Sequence, residues 1–185
     1  METPELYVPT SVLALDTNER SLDGVLARPG GSTPVTVPYP EIPQIQHRHF
    51  VRRRRLGRKK ATDRRVGRRL GGREGRRERA RVSSRLHRLS KGLVGTAEAE
   101  GAALVLEDLH LPRVRPGSRR MCRRLSSWPQ RELHRQLQYK AEEQGVPVLM
   151  VNPAYTSKTC PRCGVRKDRR SRVGRVFVCD HCRWR

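Results

Sequence analysis

The sequence predicts an α/β fold: a mixed sheet with helices packed on it, carrying a small metal-binding module. Three features of the 185 residues point there: apolar runs of strand length on both sides of a long helical stripe, the order of those runs, and two Cys-x2-Cys pairs. SVLALDTN (11–18) and DGVLA (23–27) are short and apolar with a polar turn between them, and TPVTV (33–37) follows the Pro29-Gly30-Gly31 break. Together they read as a three-stranded meander. Between Arg76 and Ala99 the apolar residues Val82, Leu86, Leu89, Leu93 and Ala97 recur at helical spacing, forming one stripe of an amphipathic helix that Gly101 caps. A preceding helix spans roughly Gln46 to Leu70, with Gly71-Gly72 as the separator, so residues 46–100 read as a basic helical hairpin. AALVLEDL (102–109) is an almost continuous apolar run, as expected of a strand covered on both faces. A Pro/Gly/Arg-rich loop (111–120) leads to a helix from about Trp128 to Gln144 with Leu133, Leu137 and Ala141 on one face. Gly145 ends that helix, and 147–151 make the last strand of a β-β-β-α-α-β-α-β order. No internal repeat is present.

The charge narrows the partner. Lys and Arg number 41 against 18 Asp and Glu, a net charge of +23. Residues 51–80 alone hold 15 basic residues against Asp63, Glu74 and Glu78. Such a charge predicts a polyanion partner, because each neutralised phosphate releases a condensed counterion. Blocks of like charge are often disordered tails, but here the run is internal and passes into a helical stripe. A membrane surface would need a basic helix with a bulky apolar face, and none is evident. No stretch of about 18 apolar residues exists, and METPELYVPT lacks a basic start and apolar segment, so the expectation is a soluble, cytoplasmic protein without a membrane partner. Nucleic acid is therefore the expected partner, contacted by Arg52, Arg53, Arg54, Arg55, Arg58, Lys59, Lys60, Arg76 and Arg77. Arginine supplies all but six of the positive charges, and its planar fork suits phosphate and base edges.

Cys160-Pro-Arg-Cys163 and Cys179-Asp-His-Cys182 are separated by fifteen residues. Two residues between thiols let both point at one ion, and two such knuckles complete a tetrahedral Zn²⁺ site. A pair of disulfides is the other reading; the odd fifth thiol, Cys122, argues against an oxidised framework. Four cysteines fill the coordination shell, which leaves His181 a bystander and makes the zinc structural, with no open position for a water. Val176-Phe177-Val178 reads as the return strand of this ribbon.

Asp16 closes the apolar run Val12 to Leu15, and Glu107 closes Leu104 to Leu106. Carboxylates ending neighbouring buried strands are how a sheet presents oxygen ligands to Mg²⁺ or Mn²⁺. Taken alone, an acid at a strand end is more often a turn residue, and Asp23 and Asp108 read as turn formers or supporting groups.

The segments LALDTNERSLDGVL (13–26), RERARVSSRLHRLSKGLV (77–94), LVLEDL (104–109) and NPAYTSKTCPRCG (152–164), in that order, resemble the TnpB/OrfB family, which prokaryotic insertion sequences encode and which is related to the type V CRISPR effectors. The resemblance implies an RNase H-like, RuvC-type nuclease domain interrupted by a zinc ribbon, acting as an RNA-guided DNA endonuclease on the prokaryotic nucleoid with guide RNA and DNA as partners. It implies that Asp16 and Glu107 are the first and second catalytic carboxylates, holding Mg²⁺ or Mn²⁺, and that Cys160, Cys163, Cys179 and Cys182 hold zinc. It also implies a third acid in an Asp-x-Asn-Ala-Ala-like segment on a final helix, and an N-terminal region gripping guide and target. This sequence ends at Cys182-Arg183-Trp184-Arg185 and has about ten residues before its first strand. Asp180, inside a metal knuckle, is no substitute. The expectation is a core truncated at both ends: a remnant at 1–10, a RuvC-like core at 11–157 with the hairpin, and an incomplete ribbon at 158–185. Two of three acids then predict nucleic-acid binding with weak or no cleavage, and loss of the last helix predicts exposed apolar sheet surface. A non-catalytic, nucleic-acid-binding zinc-ribbon protein, with Asp16 and Glu107 merely structural, is the alternative.

Overall fold

The computed structural model describes residues 5–59, 63–108, 118–166, 172–173 and 176–184, with the backbone alone at Lys59, Arg172, Val173 and Val176. The chain divides into two compact units, Met1–Val151 and Asn152–Arg185.

The first unit is built on a five-stranded mixed sheet. Its strands are β1 (Ser11–Thr17), β2 (Ser21–Arg28), β3 (Gly31–Pro38), β4 (Ala102–Glu107) and β5 (Val148–Val151), in the spatial order β3-β2-β1-β4-β5. The first three form the expected antiparallel meander, while β4 pairs parallel to both β1 and β5. Leu13 and Leu15 of β1, Leu22 and Leu26 of β2, and Leu104 and Leu106 of β4 share one face and form the core with the helices. At roughly 1.5–3 kcal/mol for each fully buried leucine, this face dominates the folding of the unit.

Helix α1 (Glu41–Lys59) and helix α2 (Arg64–Ala99) make the basic hairpin. The expected stripe is realised: Val82, Leu86, Leu93 and Ala97 are buried and Leu89 packs against them. Gly101 follows the helix at φ +54°, the left-handed position that lets the chain turn directly into β4. The expected break at Gly71-Gly72 is not observed; α2 runs through both glycines, and the helix instead begins after Asp63, whose carboxylate accepts the Val66 N–H at 3.0 Å. Two interior glycines cost a helix about 1 kcal/mol each. Just beyond them, Glu74 is buried with its Oε1 2.8 Å from His49 Nδ1 of α1, and Glu78 pairs with Arg53. These contacts with α1 hold the helix just beyond the point that the glycines weaken.

A second departure is helix α3 (Arg119–Ser127), where the sequence predicts loop and the approach to a later helix. Its start is fixed by Ser118, whose hydroxyl accepts the Met121 N–H at 3.1 Å. Helix α4 (Gln130–Glu143) buries the expected Leu133, Leu137 and Ala141. At its end the Val146 N–H returns to the Ala141 carbonyl and the Gly145 N–H to that of Glu142, which stops the helix just before β5.

The expectation that β4 is covered on both faces holds in part. Leu104 and Leu106 are fully buried and so is Ala103 on the opposite face, but Val105 on that face is only half-buried. Val12, Val25, Leu149 and Val151 are 38–55% exposed on that face, which carries no helix among the described residues. The helices that pack on the sheet join the core formed by Leu13, Leu15, Leu104 and Leu106, leaving the other side open.

The second unit is small. A single 3-10 turn (Thr156–Lys158) precedes the first cysteine pair, and β6 (Arg172–Val173) pairs antiparallel with β7 (Val176–Phe177) before the second. Phe177 and Trp184 pack ring to ring with centroids 6.2 Å apart, and the Arg166 guanidinium lies over the Tyr155 ring.

Gly24 fixes the approach of β2 to β1, because a Cβ there would lie 1.9 Å from the Ala14 carbonyl oxygen. Backbone cannot give way as a side-chain tip can. Gly24→Ala is therefore expected to cost about 3 kcal/mol, read as a lowered denaturant midpoint with unchanged slope; an unaltered midpoint would show that the strands are not held this closely.

Candidate functional site

In unit 1, the parallel register aligns Leu13 with Leu104 and Leu15 with Leu106. The next residue on each strand is an acid. Asp16 and Glu107 are thus the residues that follow the last paired positions, Leu15 and Leu106, of two adjacent parallel strands, and the alternation of the strands turns both to the open face. The pleat explains it, since the leucines just before them point into the core. Asp16 is exposed and Glu107 half-buried. On the other side of Asp16, β2 places Asp23 directly opposite, so these two carboxylates share one face across β2 and β1.

These acids are not equivalent. Burial of the group, followed by the charge of Asp23, raises the Asp16 pKa above the usual carboxylate range, against the opposing pull of the Thr17 N–H. Asp23 is held low by the hydroxyl of Ser21 and further by Thr36 and Asn18; Ser21 Oγ lies 2.6 Å and Asn18 Nδ2 2.9 Å from its Oδ2. Asp16 is thus the acid whose ionisation the fold disfavours, and a cation beside it would relieve that cost. Next along β1, Thr17 Oγ1 is hydrogen-bonded to the buried His134 Nε2 at 2.9 Å, tying the end of β1 to α4. Burial lowers the His134 pKa, opposed by the charge of Asp108, so the ring is favoured in its neutral form. No third His, Cys, Asp or Glu joins Asp16 and Glu107 in a compact ligand cluster among the described residues.

The hairpin positions the expected nucleic-acid contacts unequally. Arg54, Arg55, Arg58, Arg76 and Arg77 are exposed. Arg53 is half-buried against Glu78, and Arg52 Nη1 is 3.6 Å from Glu74 Oε1. Lys59 ends α1, and Lys60 lies outside the described residues. Sequence reasoning missed the arginines that α3 gathers, although the Ser118 cap was a readable start signal.

In unit 2, the sulfur atoms of Cys160, Cys163, Cys179 and Cys182 all lie within 4.8 Å of one another. The Cys160–Cys182 and Cys163–Cys179 pairs are 3.6 and 3.7 Å apart. A tetrahedron of thiolates with metal–sulfur bonds of about 2.3 Å has edges of about 3.8 Å, so the four fit a Zn²⁺-sized ion. Gly164, at φ +69°, lets its N–H reach the Cys160 carbonyl at 2.9 Å and closes the first knuckle. Arg183 takes the equivalent left-handed place at φ 53° after Cys182. The Cys182 N–H points at Cys179 Sγ (3.5 Å), and with the His181 N–H it lowers that thiol to about 6. At Cys163 the Val165 N–H pulls the pKa down, but burial and the three neighbouring thiols win and push it up to about 12. A cation among the four sulfurs would offset the burial and mutual repulsion that raise the Cys163 thiol. His181 is exposed.

With this geometry in place, comparison with known proteins gives a consistent result. Residues 131–185 match the family model described as Cas12f1-like, TNB domain. TnpB-like protein MJ0751 of Methanocaldococcus jannaschii is 31% identical over 139 residues, 74% of this chain and 49% of that protein. The CRISPR-associated endodeoxyribonuclease Cas12f1 of Sulfoacidibacillus thermotolerans is 36% identical over 98 residues, 52% of this chain and 22% of that one. The chain is a TnpB/OrfB-type family member. It spans about half the length of the TnpB-like relative and less of the Cas12f1 relative. The fold agrees over nearly all of it: a Cas12f1 chain solved with sgRNA and target DNA superposes with TM-score 0.64 at 20% identity, covering 98% of this chain and 48% of that one. A Cas12f chain from a ternary complex gives 0.71 at 17% identity, covering 99% and 37%. The family match thus runs from α4 through β5 into the cysteine unit, and the shared fold takes in the sheet as well. Among the described residues, no helix is long and apolar enough to cross a membrane.

The cysteine geometry makes a direct prediction. The purified chain should release one zinc when its thiols are modified, with metal content read by a chelating dye. Cys163→Ser should weaken retention by more than the roughly 10–100-fold that losing an outer hydrogen bond to a ligand costs, while His181→Ala should retain the metal. Loss of metal in His181→Ala but not in Cys163→Ser would contradict the four-thiolate assignment.

Proposed function

We propose that this chain is a TnpB-like, nucleic-acid-binding protein whose sheet is an RNase H-like, RuvC-type nuclease core, with Asp16 and Glu107 as its divalent-metal pair and a structural zinc at Cys160, Cys163, Cys179 and Cys182. By itself it cuts DNA weakly or not at all. The observation that carries this reading is the parallel register of β1 and β4, in which Asp16 and Glu107 each follow the last paired residue, Leu15 and Leu106. Both offer hard oxygen donors suited to Mg²⁺ or Mn²⁺. When bound, such an ion supplies Lewis-acid stabilisation of a phosphodiester and lowers the pKa of a water. Asp16 and Glu107 would hold the ion from adjacent strands, and the Thr17–His134 hydrogen bond would keep the end of β1 in place.

Nucleic acid as partner is supported by the +23 charge and the exposed arginines of the hairpin. It is further supported by relatives named as endodeoxyribonucleases and by a structural neighbour solved with sgRNA and target DNA, from which guide RNA and DNA carry over as proposed partners. Weak cleavage follows from the size of the acid cluster: two-metal in-line chemistry needs more carboxylates than this pair, and Asp23 is engaged by Ser21, Asn18 and Thr36. The same observation favours a second reading, a zinc-ribbon nucleic-acid-binding protein in which the pair has no catalytic part.

Purified protein incubated with Mn²⁺, single-stranded DNA and guide-like RNA should give little or no cleavage, while strand binding persists and falls steeply with salt. Any residual cleavage should vanish in Asp16→Ala and Glu107→Ala and should increase as pH rises through the carboxylate range, because Asp16, with its raised pKa, must lose its proton to bind metal. Efficient cleavage abolished by both substitutions would overturn the claim of a weak enzyme. Absent strand binding would overturn the function as a whole.

A further inference from the structure

The hairpin, α3 and the β1–β2 turn enclose a cleft of about 520 Å³. Its lining combines Arg20 from the turn, Arg48 and Phe50 from α1, and Arg120, Arg123 and Arg124 from α3. Two acids reach it, and each is already engaged: Glu19 accepts Arg124 Nε at 2.9 Å, and Glu78 pairs with Arg53. Arg48 and Arg120 make no salt bridge among the described residues, Arg20 makes none although its charge, after the Arg124 hydrogen bond, helps hold the Glu19 pKa low, and Arg123 lies over the Phe50 ring at 3.9 Å. That stack orients a guanidinium while leaving its N–H edge for an anion. The walls are fixed. The Asn18 N–H bonds to the Ser21 carbonyl at 2.9 Å, the Tyr39 N–H bonds to the Arg20 carbonyl at 2.7 Å, and Gln46 of α1 bonds to the Ser127 carbonyl at the end of α3.

We infer that this cleft is a phosphate-binding pocket for the backbone of a single nucleic-acid strand, delivering that strand to the sheet end that bears Asp16 and Glu107. The charge selects a polyanion. The volume, within the range that holds one small organic molecule, matches a nucleotide or two of one strand. Position supplies the link to the acids: Arg20 is four residues beyond Asp16, within about 14 Å of chain reach. Single-strand grooves combine positive charge with an aromatic ring, which Phe50 provides. The inference rests on the nucleic-acid binding proposed above and adds where, and in which form, the strand is held.

The test is fluorescence anisotropy of the full chain with a labelled 12-mer, without added divalent metal so that cleavage plays no part. Arg120→Gln/Arg123→Gln should weaken single-strand binding at least about tenfold and lower the salt slope by about 0.7 for each phosphate that is no longer neutralised. Arg88→Gln/Lys91→Gln, the same charge loss on the far half of α2, should weaken it less than about threefold. Arg20→Gln/Arg120→Gln touches no ring and is the second pocket variant, should loss of the Arg123–Phe50 stack unfold the first. A 12-mer duplex, an adenosine triphosphate competitor and inorganic phosphate complete the set. Equal loss in pocket and control variants, equal loss for duplex and single strand, or displacement of the strand by free nucleotide or phosphate below millimolar concentration would overturn the inference. Wild-type protein that binds no strand would instead sink the proposed function, so the two failures are distinguishable.

Discussion

The pairing of β1 with β4 organises everything else in the first unit. Its register is set by leucines, not by acids: Leu13 and Leu15 must share the core face with Leu104 and Leu106, and these side chains are buried to 3% exposure or less. A slip of one residue along either strand would turn that strand's leucines outward and push Asp16 or Glu107 into the core. Burying an unpaired carboxylate there costs several kcal/mol, on top of the lost leucine burial. The hydrophobic core therefore enforces the position of the two acids without any contact to them. Charge at a proposed metal site is expensive in the apo fold, as the raised pKa of Asp16 indicates, and leucine packing is what holds it there.

The second constraint is electrostatic. A hairpin carrying most of its charge as arginine would splay apart if its helices met only through cations. Of the three acids in residues 51–80, Glu74 and Glu78 are both turned toward α1, where they meet His49 and Arg53, and Asp63 caps the start of α2. All three have structural work, and of the described outward arginines Arg52 alone lies near one of them, 3.6 Å from Glu74. The outer surface of this stretch stays strongly basic, which suits a surface meant to track phosphates.

Much of this was legible in the sequence, for definite reasons. Strand β1 and the stripe Val82–Ala97 announce themselves because their burial follows the period of the element, and the other strands are legible as short apolar runs between turn residues. The four cysteines converge as their spacing requires, and the family emerges from motif order that the comparisons support. What was missed has equally physical causes. Gly71-Gly72 reads as a break only while local propensity is considered; Glu74 and Glu78 hold the helix to α1 through tertiary contacts that no local pattern shows. Helix α3 was hidden because it buries no residue completely, so it has no apolar stripe to read, only a serine cap. The open sheet face escaped the reading of β4 because an apolar run does not say how many faces are covered. Asp23 reads locally as a turn former, and only the β1–β2 register places it opposite Asp16.

The most direct test of the central claim, that Asp16 and Glu107 act together on one ion, is paramagnetic broadening of backbone amide signals by Mn²⁺. At low Mn²⁺ the amides of Thr17 and Asp108, one residue beyond each acid on neighbouring strands, should broaden together, and Asp16→Ala or Glu107→Ala alone should restore both. Broadening of only one of the two, or of neither while other acids respond, would show that these carboxylates do not share a metal.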